Sequence, residues 1–194
     1  MSSAIPVEDN KNFTYEDYVH WGEDHRWELI DGAAFNMSPS PSRVHQKISM
    51  ELAWQLRTFL KDKSCEVYAA PFDVRLPEHD EPDDEIKTVV QPDISVICDR
   101  KKLDDKGCRG APDLIIEIVS PFTARRDMKD KPFLYEHHGV KEYWIVHPEE
   151  KIIMQYKLEK NNRFGRASIL TDEDTISTDI LPGLTVDLNL VFKE

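Results

Sequence analysis

An acidic residue inside an otherwise apolar run is the feature that most constrains the fold of this chain. The run from Asp113 to Pro121 reads Asp-Leu-Ile-Ile-Glu-Ile-Val-Ser-Pro, with Glu117 at its centre. Short apolar runs rich in β-branched residues, bounded by glycine and proline, are typical of central strands. Burying a carboxylate in such a strand is costly unless the carboxylate is paired or binds a metal. The sequence therefore predicts a buried strand whose acid either belongs to a functional site or forms a buried ion pair with an arginine.

A second acid stands at the start of a neighbouring apolar run. Asp93 lies within a strand predicted from Val89 to Cys98, and Lys129 and Lys131 follow in a polar segment. Two acids on adjacent strands, with a lysine close behind, are typical of a hard-cation site beside a positive charge. We expect the carboxylates of Asp93 and Glu117 to converge to roughly 4–5 Å, since Mg²⁺–O bonds are about 2.1 Å long. Without metal, such a cluster of acids predicts one carboxyl group with a raised pKa.

Two further residues are candidates for the same site. Glu28 lies in a strand predicted from Arg26 to Ile30, which Asp31-Gly32 turns into a hairpin. His45 lies in the apolar stripe of a helix predicted from Pro41 to about Lys61. Each residue also has a structural interpretation: Glu28 as the cross-strand partner of a basic residue, and His45 as a core histidine with satisfied hydrogen bonds.

The rest of the pattern predicts one α/β domain over residues 13–194, after a loose tail over residues 1–12. A helix is predicted from Thr123 to His138; Pro132 fits its first turn if Asp130 is the N-cap. Residues 99–110 are expected to form a charged loop. Further strands are predicted over residues 66–76, 142–146, 151–158 and 166–170.

Composition limits the class of function and the location. The formal net charge of -12 argues against a broad basic face for nucleic acid, but it leaves room for a local cationic cleft. No apolar stretch has the length of a membrane span, and residues 1–11 lack the apolar segment of a signal peptide. We therefore expect a cytoplasmic protein with no membrane partner.

The cysteines and histidines predict neither a disulfide framework nor a zinc site. The chain has three cysteines, an odd number, and they show no paired spacing: Cys65, Cys98 and Cys108. We therefore expect reduced thiols. Cys98 and Cys108 together with His137 and His138 do not have the spacing of zinc ligands.

Several short motifs occur in a fixed order along the chain. They are Glu-Leu-Ile-Asp-Gly (28–32), Met-Ser-Pro (37–39), His-Gln (45–46), Gln-Pro-Asp (91–93), Gly-Ala-Pro-Asp-Leu (110–114), Glu-Ile-Val-Ser-Pro (117–121), then Asp127, Lys131 and Tyr135, and finally Gly-Val-Lys-Glu-Tyr-Trp (139–144) and Leu-Pro-Gly (181–183). This ordered set resembles the bacterial putative restriction endonucleases, a branch of the PD-(D/E)XK nuclease superfamily, over about residues 14–192. The resemblance implies a restriction endonuclease-like mixed sheet flanked by helices. It also implies phosphodiester hydrolysis that depends on Mg²⁺, with Mn²⁺ as a substitute.

The resemblance also assigns roles to residues. Asp93 looks like the Asp of the PD element, and Glu117 looks like the second acid. In the standard superfamily pattern a lysine follows the second acid by two residues, and that position is Val119 here. The family that this chain resembles places the lysine on the following helix instead, and Lys131 occupies the corresponding position. Lys129 is the competing lysine.

Glu28 is expected to add a direct or water-mediated metal ligand or to contribute to a second metal position, and His45 belongs to the family's His-Gln element. The expected function is therefore that of a metal-dependent DNA endonuclease. A homodimer is expected, since each site cuts one strand. Two alternatives stay open: a nuclease-fold protein that binds nucleic acid or a partner without cleaving, and a metal-dependent hydrolase of a smaller phosphate ester.

Overall fold

The computed structural model describes residues 12–21, 26–37 and 40–193. The predicted N-terminal tail lies outside these residues, apart from Asn12. Where the chain is described, no helix is both long and apolar enough to cross a lipid bilayer. The α-helices are α1 (Tyr15–Val19), α2 (Arg43–Leu60), α3 (Lys131–His137) and α4 (Leu188–Phe192).

A six-stranded mixed sheet forms the centre of the fold. In spatial order its strands are β12 (Ser168–Thr171), β11 (Ile152–Lys157), β10 (Glu142–His147), β9 (Leu114–Ile118), β6 (Ile94–Ile97) and β3 (Glu66–Ala69). The β9–β10 pair is parallel, and the other pairs are antiparallel. Apolar residues of α2, such as Leu52, pack with Ile116 on one face, while Tyr135 of α3 packs with Ile115 on the other. Strand β9 is buried on both faces for this reason, and the predicted mixed sheet flanked by helices is confirmed.

A second six-stranded sheet lies beside the first. Its strands in spatial order are β2 (Ala33–Asn36), β1 (Trp27–Ile30), β5 (Val89–Val90), β4 (Val74–Arg75), β8 (Gly107–Arg109) and β7 (Leu103–Asp104). A short ribbon of β13 (Thr175–Ile176) and β14 (Val186–Asp187) precedes α4. The β1–β2 hairpin turns through Asp31 (φ 49°) and Gly32 (φ 77°). Two positive φ angles are what a type I′ turn requires, so the hairpin predicted from Asp-Gly is confirmed.

The single strand predicted from Val89 to Cys98 is wrong. The segment forms β5 in the second sheet and β6 in the first, with Gln91-Pro92-Asp93 crossing between the sheets. Pro92 has no N–H for a strand ladder, so it interrupts the run. The charged loop expected over residues 99–110 is also only partly right, since it contains the short strands β7 and β8.

Cys65 and Cys98 form a disulfide, so the expectation of reduced thiols is wrong for this pair. In the antiparallel β3–β6 pair, Glu66 lies opposite Ile97, which places the two cysteines next to each other at the end of the ladder. Their separation of 33 residues does not reveal this register. Cys108 is a free, buried thiol.

The helix predicted from Thr123 to His138 contains a π-helical turn. Arg126–Asp130 forms this turn and runs directly into α3, and the N–H of Lys131 bonds to the Arg126 carbonyl. Asp130 has helical angles (φ -90°, ψ -47°) and no capping hydrogen bond, so it is not the predicted N-cap. Lys131 is therefore not at the positive end of the helix.

Pro132 is accommodated because a side chain replaces its missing donor. In the register of the π turn, the residue at position 132 would donate to the carbonyl of Asp127, five residues earlier, and proline has no N–H to donate. The hydroxyl group of Tyr143 donates to that carbonyl instead, at 2.9 Å.

Candidate active site

A cleft of about 1220 Å³ contains all five residues that the sequence singles out. Glu28 comes from β1, His45 from α2, Asp93 from the crossing between the sheets, Glu117 from β9 and Lys131 from α3. Residues from both sheets and two helices thus converge on one concave surface. The competing lysine, at position 129, is exposed and is not among the residues that line the cleft.

The two acids of the predicted metal site lie on neighbouring strands. Strands β6 and β9 are antiparallel, with Ile94 opposite Ile116, so Asp93 stands beside Glu117. The N–H of Ile118 donates to Asp93 Oδ2 at 2.8 Å, and the N–H of Asp93 points to Glu117 Oε2 at 3.4 Å. Main-chain groups therefore fix both carboxylates on the same side. The expected separation of their oxygens stays a prediction.

Lys131 is buried among three carboxylates. Its Nζ atom lies 2.7 Å from Glu117 Oε1, 2.9 Å from Glu28 Oε1 and 3.6 Å from Asp127 Oδ1. Only 3% of the residue is exposed. Burial opposes its charge, but the attraction of the three carboxylates raises the pKa of Lys131 well above its usual value. The side chain is therefore an ammonium group directed at the acid of β9.

Glu28 is an ion-pair partner in this structure. Its Oε1 accepts from Lys131 and its Oε2 accepts from Arg126 Nη1 at 3.2 Å. Burial acts to raise the pKa of Glu28, but Lys131 and Arg126 outweigh it and the net shift is downward. Glu28 thus pairs with basic residues, but they lie on the π turn and α3, so the cross-strand pairing expected of it is wrong. A metal-binding role for Glu28 stays a prediction.

Glu117 carries the raised pKa that a cluster of acids predicts. Burial is the largest cause, the charges of Asp127, Asp93 and Glu28 add to it, and Lys131 opposes it, which brings the pKa of Glu117 to about 8. Glu28, Glu117 and Asp127 share two cationic side chains, those of Lys131 and Arg126, whereas Asp93 contacts His45. A cluster of carboxylate oxygen donors suits a hard divalent cation such as Mg²⁺. These residues therefore fit the metal that the resemblance implies.

His45 contacts the other acid of the pair. Ser42 accepts from the His45 N–H and caps α2, so the imidazole lies within the first helical turn. Its Nε2 atom is 3.2 Å from Asp93 Oδ2. Burial acts to lower the pKa of His45, but the hydrogen bond to Asp93 outweighs it and the net shift is upward. His45 is thus a neighbour of the acidic site and not a histidine enclosed by the apolar core.

The sequence reasoning gave no role to two residues that contact the site. Tyr135 donates its hydroxyl to Glu117 Oε1 at 2.8 Å, and Asp127 adds a third carboxylate to the surroundings of Lys131. Asp127, Lys131 and Tyr135 are spaced by four residues, which places them on one face of a helix. This four-residue spacing is the feature of the sequence that indicates a shared position for the three side chains.

Comparisons with known proteins agree with this architecture. A family model described as "Uma2: Putative restriction endonuclease" matches residues 15–190. The crystal structure of a putative nuclease belonging to DUF820 from Anabaena variabilis ATCC 29413 superposes with a TM-score of 0.73 at 18% identity, covering 93% of this chain and 97% of that one. This likeness shows the fold, which is restriction endonuclease-like.

A curated relative matches over a shorter stretch. The uncharacterized protein slr1290 of Synechocystis sp. (strain ATCC 27184 / PCC 6803 / Kazusa) is 26% identical over 133 residues. The match covers 68% of this chain and 66% of that protein, just under two thirds of its length. The family match spans nearly the whole chain, and the chain therefore belongs to the Uma2 family of putative restriction endonucleases.

Proposed function

We propose that this protein is a divalent-metal-dependent nuclease that hydrolyses phosphodiester bonds in DNA. The observation that carries the proposal is the convergence of Asp93, Glu117 and Lys131 in one cleft. Lys131 Nζ lies 2.7 Å from Glu117, whose second oxygen faces the N–H of Asp93. Two carboxylates and an ammonium group are the parts that metal-assisted phosphodiester hydrolysis needs.

Asp93 and Glu117 would hold Mg²⁺, or Mn²⁺ in its place, and Glu28 would add a direct or water-mediated ligand. When bound, the metal would lower the pKa of a coordinated water molecule and offset the charge of the phosphate. Glu117 Oε1 is already engaged by Lys131 and Tyr135, which leaves Oε2 as the oxygen that faces Asp93.

Lys131 would orient the attacking water and stabilise the charge that develops on the phosphate. Its ammonium group is fixed by Glu28 and Glu117 before any substrate arrives, so little reorganisation is needed. Tyr135 would hold Glu117 in place through its hydroxyl, and His45 would do the same for Asp93.

The cleft also offers positive charge for a nucleic-acid backbone. Besides Lys131, six basic residues line it, although the formal net charge of the chain is -12. Phosphate contacts from lysine and arginine supply most of the sequence-independent affinity for DNA. The six residues are Arg26, Arg43, Lys47, Arg126, Lys151 and Lys193.

The test is a cleavage assay with the full chain and its variants. We expect supercoiled and linear duplex DNA to be cut with Mg²⁺ or Mn²⁺ and to stay intact with EDTA. Asp93→Asn and Glu117→Gln should each abolish cutting. If these variants cut as fast as the wild type, the assigned site is wrong.

Calorimetric titration with Mn²⁺ separates the proposal from a binding protein without activity. A nuclease of this type should bind Mn²⁺ and lose that binding in Asp93→Asn. DNA binding without any metal binding would instead favour the non-cleaving alternative.

We also propose a homodimer, because each site would cut one strand of a duplex. Sedimentation at micromolar concentration tests this, and a clean monomer would contradict it.

A further inference from the structure

Two histidines and a glutamate meet at the end of α3 that is remote from the cleft. His137 is the last residue of α3, His138 follows it, and Gly139 (φ 81°) ends the helix. Glu78 approaches them from the loop that follows β4. One ligand atom from each of the three side chains lies within 4.8 Å of the other two. Within residues 12–21, 26–37 and 40–193, this is the only trio of His, Cys, Asp or Glu side chains placed in this way.

The ring of His138 is buried and oriented by the main chain. Its side chain is 5% exposed, and its Nε2 atom has no hydrogen-bond partner among the residues the structure describes. The main chain of Pro77 also lies within hydrogen-bonding reach of the ring, and only its carbonyl can accept there because proline has no N–H. The tautomer with the proton on Nδ1 would use that carbonyl and keep a lone pair on Nε2 for a metal ion.

Nε2 also lies near a carboxylate. His138 Nε2 is 3.5 Å from Glu78 Oε1, and two electron-rich atoms this close are stabilised when a proton or a metal ion lies between them. The distance is long for a hydrogen bond. It matches the separation of two ligands on a tetrahedral ion, about 3.4 Å for bonds of about 2.0–2.1 Å. An Nδ1–H bound to a backbone carbonyl is also the usual way in which proteins orient a metal-binding histidine.

The other two groups complete the set of donors. His137 Nε2 lies 2.8 Å from Glu78 Oε2, and the His137 side chain is 63% exposed, so it can turn towards an ion. The carboxylate of Glu81 accepts from the N–H groups of Glu78 and His79, at 2.8 and 2.7 Å, and so holds the loop in place. Glu78 and His137 are 59 residues apart, which explains why histidine spacing alone did not indicate this site.

We propose that Glu78, His137 and His138 bind Zn²⁺, with a fourth position open to water. Two imidazole nitrogens and one carboxylate suit Zn²⁺ and its neighbours in the first transition row much better than Mg²⁺. The ion would tie the loop after β4 to α3. His137 follows Lys131 by six residues, about 9 Å along the helix axis, so the ion would brace the helix that carries Lys131. The proposal does not depend on the activity of the cleft.

The test measures Zn²⁺ affinity in the full chain without reference to cleavage. Metal-free protein competes with a chromophoric chelator for Zn²⁺, in the wild type and in an Asp93→Asn/Glu117→Gln variant that lacks the two principal carboxylates proposed to hold Mg²⁺ in the cleft. We expect one Zn²⁺ equivalent in both proteins and no displacement by excess Mg²⁺. Co²⁺ in place of Zn²⁺ should give the visible absorption of a four- or five-coordinate site.

Glu78→Gln and His137→Asn should each weaken Zn²⁺ binding by at least about tenfold, since losing a ligand costs no less than losing a group that supports one. Both side chains are largely exposed, so both variants should fold, which circular dichroism verifies. His20→Asn removes an exposed histidine elsewhere and should leave affinity unchanged. Unchanged affinity in both Glu78→Gln and His137→Asn, or loss of binding in the cleft variant, would overturn the proposal.

Discussion

Glu28 and Lys131 are 103 residues apart in the chain, and their side chains form a buried ion pair of 2.9 Å. Glu28 belongs to β1 of the second sheet, whereas Lys131 belongs to α3, which packs on the first. The pair therefore joins the two halves of the cleft. Each charge is shielded from water and depends on the other for compensation.

Glu28→Gln should destabilise the protein. The change leaves buried Lys131 and half-buried Arg126 with one negative charge fewer beside them. We expect a loss of about 3 kcal/mol, the lower end for breaking a buried pair, because Glu117 still binds Lys131. Urea denaturation measures the difference. As a control, Asp179→Asn breaks the exposed Lys157–Asp179 pair and should cost under about 1 kcal/mol. An equal loss of unfolding free energy in Glu28→Gln and Asp179→Asn would contradict the claim that burial makes the Glu28–Lys131 pair more important for stability.

Lys131→Met should abolish cleavage while preserving metal binding. The variant keeps the volume of the stem and removes a charge that would act in the transition state. We expect a fall of about 10²–10³-fold in cleavage rate. Mn²⁺ affinity, followed by calorimetry, should stay similar or rise because one cation near the metal is lost. Lys129→Met is the matched control on the same helical segment, and its exposed side chain predicts normal activity. The reverse pattern would transfer the role to Lys129.

The raised pKa of Glu117 predicts the pH dependence of stability without metal. In the folded protein this carboxyl group keeps its proton up to about pH 8, whereas in the unfolded chain it releases the proton near 4.5. Between these values the folded state binds more protons, so stability should fall as pH rises, by up to about 1.4 kcal/mol per unit. Denaturation in EDTA between about pH 5 and 8 tests this. Glu117→Gln should remove this contribution, and an identical slope in the variant would contradict the assignment.

The contact between His45 and Asp93 makes the histidine a reporter of metal binding. Asp93 raises the pKa of His45 by stabilising the imidazolium ion. Mg²⁺ bound to Asp93 would remove that stabilisation and repel the imidazolium, so adding Mg²⁺ should lower the pKa of His45. Titration of the ring protons by NMR measures the change. Asp93→Asn should lower the pKa in the same direction and make it insensitive to Mg²⁺.

Tyr143 and Pro132 should be coupled in stability. Tyr143→Phe removes the donor to the buried carbonyl of Asp127, which should cost about 1–3 kcal/mol. Pro132→Ala restores a main-chain N–H that can bond to the same carbonyl. Tyr143→Phe should therefore cost less in the Pro132→Ala background. A double-mutant cycle by denaturation quantifies the coupling, and additive effects would rule out the shared acceptor.

The sequence predicted the strand elements of the site better than the contacts between them. Glu117 was identifiable because a carboxylate is anomalous inside a run of branched apolar residues, and the β1–β2 hairpin because Asp-Gly dictates one turn geometry. The ordered motifs then indicated which lysine to consider. These patterns can be recognised in the sequence without knowledge of the tertiary structure.

The contacts that the sequence did not reveal depend on relationships between distant segments. Glu28 meets Lys131 and Arg126 only because the two sheets lie side by side, and Cys65 meets Cys98 only because of the β3–β6 register. The apolar residues of β5 and β6 are alike in character, so hydrophobicity did not reveal that they belong to different sheets. The carbonyl of Asp127, to which Pro132 cannot donate, accepts from the hydroxyl group of Tyr143 instead, and no local pattern encodes that contact.

The three-residue crossing from β5 to β6 gives the cleft a mechanical property. Gln91 is anchored to the second sheet, where its side chain contacts Arg26, Asp73 and Tyr18, and two residues later Asp93 stands beside Glu117 in the first. Because only three residues connect β5 to β6, this connection cannot compensate for a rotation of one sheet relative to the other. A partner that changed the angle between the two sheets would therefore move Glu28 and Asp93 together. Their positions relative to Glu117 and Lys131 would change, and with them the geometry of the cleft.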